Sequence, residues 1–366
     1  MKLRDHILVF RRAVKLTLLE RRNRKYTVLL IVNAFLSSVI GYIPIYFSAK
    51  VIDSLVAGSP LETVVSYVLL TVGIVFAVGL LNTCVTSEKD AAERTMWRDE
   101  DWSFSEKAMQ MAFRSTEDPE VTKLRYQVRR ANQTGQNLFF LYQHIREFSE
   151  QVTKITASIA LTMSFFTLSS VPAVFKYSIV AGLVATLIIQ VYATKKTTKL
   201  DRDFLASSVE MNILSEHFLD YIEQYDAGKD IRLYDMGAFL GDSYLEIDRD
   251  YWERSLKNSY KKAAWTLPET ILNTALRIGT YAVLIIAAMN GGVTIGSIAK
   301  YAACIILLAE TLTQTVRTAQ LALVNNHYLK DYFSYFDIPN EMYHGSRAVE
   351  TREGNPYCVE IGRAHV

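Results

Sequence analysis

Cysteine is scarce and scattered. Cys84, Cys304 and Cys358 stand alone, without the close spacing of a metal site, and read as buried or incidental thiols. The chain has no His-Glu-x-x-His, no Cys-x-x-Cys and no Gly-x-Ser-x-Gly, so nothing in it points to a zinc hydrolase, a thiol oxidoreductase or a serine hydrolase. It also lacks a Gly-x-x-x-x-Gly-Lys-Ser/Thr loop, and with it the backbone cradle that holds the β- and γ-phosphates of a nucleotide. The carboxylate pairs Glu88/Asp90 and Asp99/Asp101 lie in charged helical stretches, where a solvated face is the ordinary reading. Excess charge of one sign is missing as well. A net charge of +2, with basic residues dispersed along the chain, argues against nucleic acid as a partner.

The absence that carries most information is local. Six runs are apolar and almost free of charge: Tyr26 to Ala49, Thr63 to Ser87, Ile155 to Phe175, Tyr177 to Thr194, Thr270 to Met289 and Ser297 to Val316. About 20 helical residues cover roughly 30 Å, so each run can cross a bilayer core. The runs come as three close pairs. Before the first run stand Lys2, Arg4, Arg11, Arg12, Lys15, Arg21, Arg22, Arg24 and Lys25, whereas the connections inside the pairs carry only Lys50, Lys176 and, at the far edge of the third, Lys300. The positive-inside rule then places both termini in the cytoplasm of a multi-pass protein of the cell membrane. The expected fold is an all-α membrane protein with six transmembrane helices and long cytoplasmic extensions. The first run is too long for a cleaved leader and lacks a small-residue cleavage site.

At the N-terminus, Leu3, Ile7, Phe10 and Val14 recur at helical spacing opposite Arg4, Arg11 and Lys15. Residues 1–25 therefore read as an interfacial helix on the lipid bilayer, or as an amphipathic helix docked on a partner. The insertion at 88–150 has one proline, Pro119, and one glycine, Gly135, among strong helix formers, with its break at Arg114 to Pro119. Asp118 can cap and Pro119 can open a short transverse helix, Glu120 to about Val128. The insertion at 195–269 repeats this plan, with Gly228 and Gly237 bounding the run Lys229 to Met236. Two insertions of one design suggest two docking points for another domain.

This arrangement resembles the transmembrane domain of type I ATP-binding cassette (ABC) exporters of bacterial type. Gly291 to Ser297, Gly-Gly-Val-Thr-Ile-Gly-Ser, looks like the family's outer turn between the last two spans. Gly228 to Met236, Gly-Lys-Asp-Ile-Arg-Leu-Tyr-Asp-Met, looks like its second coupling helix. The resemblance implies that Asp118, Pro119, Glu120, Val121 and Leu124 at one tip touch nucleotide-binding domains. Asp230, Ile231, Arg232, Leu233, Tyr234 and Asp235 would do so at the other. It also implies that Tyr234 is the aromatic anchor; a contact within the insertion is the alternative. The family's Leu-Ser-Gly-Gly-Gln segment is absent, so ATP and magnesium are expected on a nucleotide-binding domain and no cofactor on this chain. The implied partners are a second transporter half, those domains and an unidentified cargo. On this reading 26–337 is the six-helix domain. Residues 338–360 are a linker leading into a strand, Tyr357 to Ile361, that opens the missing domain, and 361–366 match a translated sequencing adapter.

Charge inside the apolar zone is confined to the last two runs. Glu269, Asn273 and Arg277 lie on one helical face, as do Glu310, Gln314 and Arg317. Counted from the outer turn, Arg277 and Glu310 reach similar depth, roughly 18 to 20 Å down. Intramembrane charge is costly and usually faces a cavity, so the stripes line a translocation pathway or serve helix packing through an Arg277–Glu310 pair. The leading expectation is the membrane half of an ATP-driven exporter of a small molecule, lipid or peptide. A six-helix receptor or channel without ATPase is the alternative.

Overall fold

The computed structural model describes residues 3–130, 137–167, 172–289 and 293–341. Ten α-helices run through them: α1 Leu3–Val14, α2 Arg21–Val56, α3 Leu61–Gln110, α4 Phe113–Glu117, α5 Pro119–Arg130, α6 Leu138–Thr167, α7 Ala173–Glu223, α8 Ala227–Leu233, α9 Gly237–Met289 and α10 Ile295–Phe336. There are no strands among the described residues. Five helices, α2, α3, α7, α9 and α10, contain segments long and apolar enough to cross a membrane. The third apolar run is divided. Ile155 to Thr167 closes α6, 168–171 lie outside the described residues, and Phe175 opens α7. Lys176 therefore lies inside α7, whose N-cap position is held by Pro172, which lacks an N–H. The proposed linker and strand, the tail, Cys358, Gly135, Gly291, Gly292 and the side chains of Leu3 and Arg4 also lie outside the described residues.

Two sets of helices emerge. One is formed by α2, α3, α6 and α10, which pack on one another, while α7 and α9 pack chiefly on each other and reach the first set through α10. The core is accordingly split along α10. At the hairpin end, Phe165, Ile179, Val283, Leu284, Ala287, Tyr301, Ala302 and Ile305 form one cluster. At the opposite end, Val9, Ala13 and Leu16 of the N-terminal segment join Tyr26, Leu30, Met96, Val128, Leu138, Tyr142 and the aromatic foot of α10, Tyr328 to Phe333. The face of α1 that packs inward is therefore Val9 and Ala13, leaving Ile7 and Phe10 exposed on the other side.

Between α1 and α2 the chain turns through a π-helical segment, Lys15–Leu19, and bends at Glu20. The segment is held from below, since Asn23 Nδ2 donates to the Leu16 carbonyl (3.1 Å) and Thr27 Oγ1 to the Thr17 carbonyl (2.8 Å). The far end of α10 is held from two sides. Arg12 makes a two-pronged bond to Asp337 (2.6 and 2.7 Å) and lies over the Phe333 ring, and Lys107 donates to the Ile338 carbonyl and to Asn340. The Arg12 guanidinium holds the Asp337 carboxyl below its ordinary range, and burial lowers the Lys107 ammonium.

At the hairpin end, Gly58 takes a positive φ of 66° in the turn from α2 to α3. The end of α2 closes on the start of α10. Asp53 accepts from the Gly296 N–H (2.8 Å) and from Thr294 Oγ1 (2.9 Å), placing a carboxylate on the orphan donors of α10. A Cβ at Gly296 would collide with the Ala49 carbonyl oxygen and come within 2.7 Å of the Asp53 carboxylate, so the two helices approach to a distance only glycine permits.

Candidate functional site

Polar side chains gather between the two core clusters. Arg277 lies 12 residues before the end of α9 and Glu310 lies 15 after the start of α10, and the two form an ion pair, each side chain about half exposed. Beside them is a cavity of about 80 Å³, lined in part by Asn273, Thr280, Thr313 and Gln314. Glu269 lies about two turns below Arg277 on α9. Its carboxylate meets the Gln190 amide of α7, which donates to it once its nitrogen is turned inward and then accepts from Thr194. Arg317 of α10 supplies the positive field at Glu269. Of the six polar residues picked out on the last two runs, Arg277 and Glu310 meet directly, Asn273 and Gln314 share their cavity, and Glu269 and Arg317 form a second, looser group.

The polar belt is wider than those charges. Gln151 Nε2 donates to Thr318 Oγ1 (2.9 Å), and Thr318 donates to Glu147 (2.9 Å), which ties α6 to α10. Thr198 donates to Gln320 (3.4 Å), which in turn donates to the Val191 carbonyl (3.4 Å), tying α7 to α10. Asn33 Nδ2 donates to Asn82 (2.9 Å) and Thr86 (2.8 Å) between α2 and α3. These amides and hydroxyls escape a search for charge. The available signal was an amide inside an uncharged run, as at Asn33, Asn82 and Gln190. At the lower edge of the belt, His144 is buried with its Nδ1 3.7 Å from Glu147; burial holds its pKa below the ordinary histidine value.

The first tip is α4, Asp118 and α5. Asp118 Oδ1 accepts from the Glu120 N–H (2.8 Å) and Pro119 opens α5, as the local sequence predicts. The arms differ from expectation. The descending helix stops at Gln110 and the returning helix begins at Leu138, so the turn-back takes in more than one short helix. Val121, Leu124 and Val128 recur along one face of α5; Val128 is buried in the foot cluster and Leu124 packs against it. Asp118, Pro119 and Glu120 stay exposed. Only these three of the five named residues are fully presented to solvent.

The second tip is built differently. After α8, Asp235 adopts a left-handed φ of 50°, the Met236 N–H reaches the Ile231 carbonyl (2.9 Å) and the Asp235 N–H the Arg232 carbonyl (3.4 Å). That is a Schellman stop with aspartate where glycine is usual. It leaves Ile231 half-buried and Leu233 and Tyr234 68% and 71% exposed, with Tyr225 and Phe239 exposed on the flanking segments. Asp230 and Arg232 are exposed on the same short helix. Four large apolar side chains thus stand in solvent at the end of a stalk that buries little of its own surface. Comparison with protein-family models and with curated proteins returns no match to this chain.

Proposed function

We propose that the chain is the membrane half of an ATP-driven exporter of the ABC type, in which nucleotide-binding domains dock on the two tips. The observation that carries this reading is the second tip. Helices α7 and α9, 51 and 53 residues long, pack chiefly on each other and end in a turn where Leu233 and Tyr234 are largely exposed. Exposed apolar clusters of this kind mark contact sites. Tyr234 would fill a groove on the docked domain, with Asp118 to Glu120 making the second contact. ATP and magnesium would be held by that domain. The same pairing of α7 and α9 leaves a flank for a second half, alike or homologous. The polar belt between the core clusters would face the cargo, with Arg277, Glu310, Glu269 and Arg317 as its charged members.

In the assembled transporter, Tyr234→Ala removes an aromatic anchor of the kind that contributes about 2 kcal/mol or more at an interface. Transport falls sharply and stimulation of ATP hydrolysis by cargo is lost, while membrane insertion and nucleotide binding persist. Wild-type transport and stimulation in this variant would exclude Tyr234 as the coupling residue.

A further inference from the structure

A second surface on α7 and α9 is at the opposite end of the stalk from the tip. On α7, Tyr192, Lys195, Lys196 and Lys199 lie on one helical face; on α9, Lys261 and Trp265 lie one turn apart. The two faces adjoin. The Tyr192 and Trp265 rings meet edge to face with centroids 5.6 Å apart, and the Lys196 ammonium lies 5.5 Å from one ring centre and 5.4 Å from the other. Both rings are well exposed, at 53% and 38%. They stand where the uncharged part of each helix ends, the level at which tyrosine and tryptophan collect at a membrane boundary.

Below the rings basic residues predominate. Of the two carboxylates on this stretch of α7, Asp201 is taken by Lys262 (2.7 Å) and Asn258 (3.4 Å), and Asp203 lies 3.9 Å from Arg202. Among the described residues Lys195, Lys196, Lys199 and Lys261 have no carboxylate within ion-pair distance, while Ile188 and Ile271 just above the rings are exposed and apolar. The surface therefore offers an apolar strip, then two ring faces, then four cations. A molecule that matches it in that order has acyl chains, a glycerol-like neck and an anionic phosphate.

We infer that this boundary face of α7 and α9 is a binding site for an anionic phospholipid, its phosphate held by the four lysines and its chains laid along the strip above Tyr192 and Trp265. The inference rests on these helices crossing a bilayer and not on the transport reading. Charge alone at a lipid surface is worth roughly fivefold in affinity per lysine, and the ring floor fixes where the headgroup settles.

The test uses the chain in nanodiscs of phosphatidylcholine with and without phosphatidylglycerol, with retained lipid counted by native mass spectrometry after transfer to detergent. The wild type retains phosphatidylglycerol and melts higher when it is present. Replacing the four lysines together with glutamine lowers retention tenfold or more, whereas replacing them with arginine, or replacing Lys123, Arg125, Lys229 and Arg249 with glutamine, leaves it unchanged. Tyr192→Leu with Trp265→Leu, which keeps every charge, weakens retention severalfold. Millimolar inorganic phosphate does not reproduce the thermal shift. Equal retention by the wild type and the glutamine variant, or an equal shift with phosphate, would overturn the site. A chain that inserts in discs but shows no lipid preference sinks the site alone; one that enters neither kind of disc sinks the membrane reading with it.

Discussion

Arg277 and Glu310 neutralise each other at the edge of a small cavity in a largely apolar stretch of α9 and α10. Removing one leaves the other uncompensated, whereas removing both leaves two neutral amides at the same depth. Glu310→Gln alone is expected to lower the melting midpoint more than Glu310→Gln combined with Arg277→Gln. The coupling in a double-mutant cycle should be on the order of 1 kcal/mol, and strictly additive losses would show that the pair is not direct. His144 adds a pH dependence at the other edge of the belt. Its pKa is lower folded than unfolded, so the unfolded chain takes up the proton first; the stability involved is complete above about pH 6.5 and is lost as pH falls. Melting midpoints measured from pH 7.5 to 5.5 should drop in the wild type and drop less in His144→Gln, by about 2–4 °C for each kcal/mol concerned. An identical drop in both would remove His144 as its source. His327 is shifted down by burial in the same way, so some of the slope remains. The charged residues of this belt were visible in the sequence because a charge in an apolar run is conspicuous. Their partners were not: Gln190, Gln151 and Thr318 become neighbours only when four helices converge.

At the level of whole helices, the break at Asp118 and Pro119 could be read from residue chemistry, because a capping carboxylate and a proline leave few alternatives. The earlier break at Met111 and Ala112 could not, since neither residue is a poor helix former and the chain turns there as Met111 buries itself. Leu124 packs against the foot cluster beside Val128, a contact that its place in the insertion does not disclose. The tie between α2 and α10 at the hairpin end was equally hidden, because it joins residues more than 240 apart in sequence. It makes a sharp prediction. Gly296→Ala forces apart two helices in backbone contact and should cost about 1–3 kcal/mol, the range for overpacking. Gly279→Ala, where an added methyl meets nothing within 4 Å, should be close to neutral. Thermal melts of the two variants side by side check this, and equal midpoints would contradict the tight approach.

For the molecule as a whole, the six apolar runs disclosed an all-helical chain with long charged arms, and the structure is of that kind. What they did not disclose is the grouping, with α7 and α9 leaning on each other and the remaining long helices packed around α10. Hydropathy reports how deep a residue lies, not which neighbour it faces. Helix α9 has a further consequence. It runs unbroken through Pro268 from the second tip to the hairpin end, 53 residues or about 80 Å. A rod of that length pivoting near its middle is a lever with nearly equal arms. A tilt of ten degrees would swing each end by about 7 Å in opposite senses, so a push of a few ångströms at one end arrives at the other as an equal pull, without a hinge or relay between them.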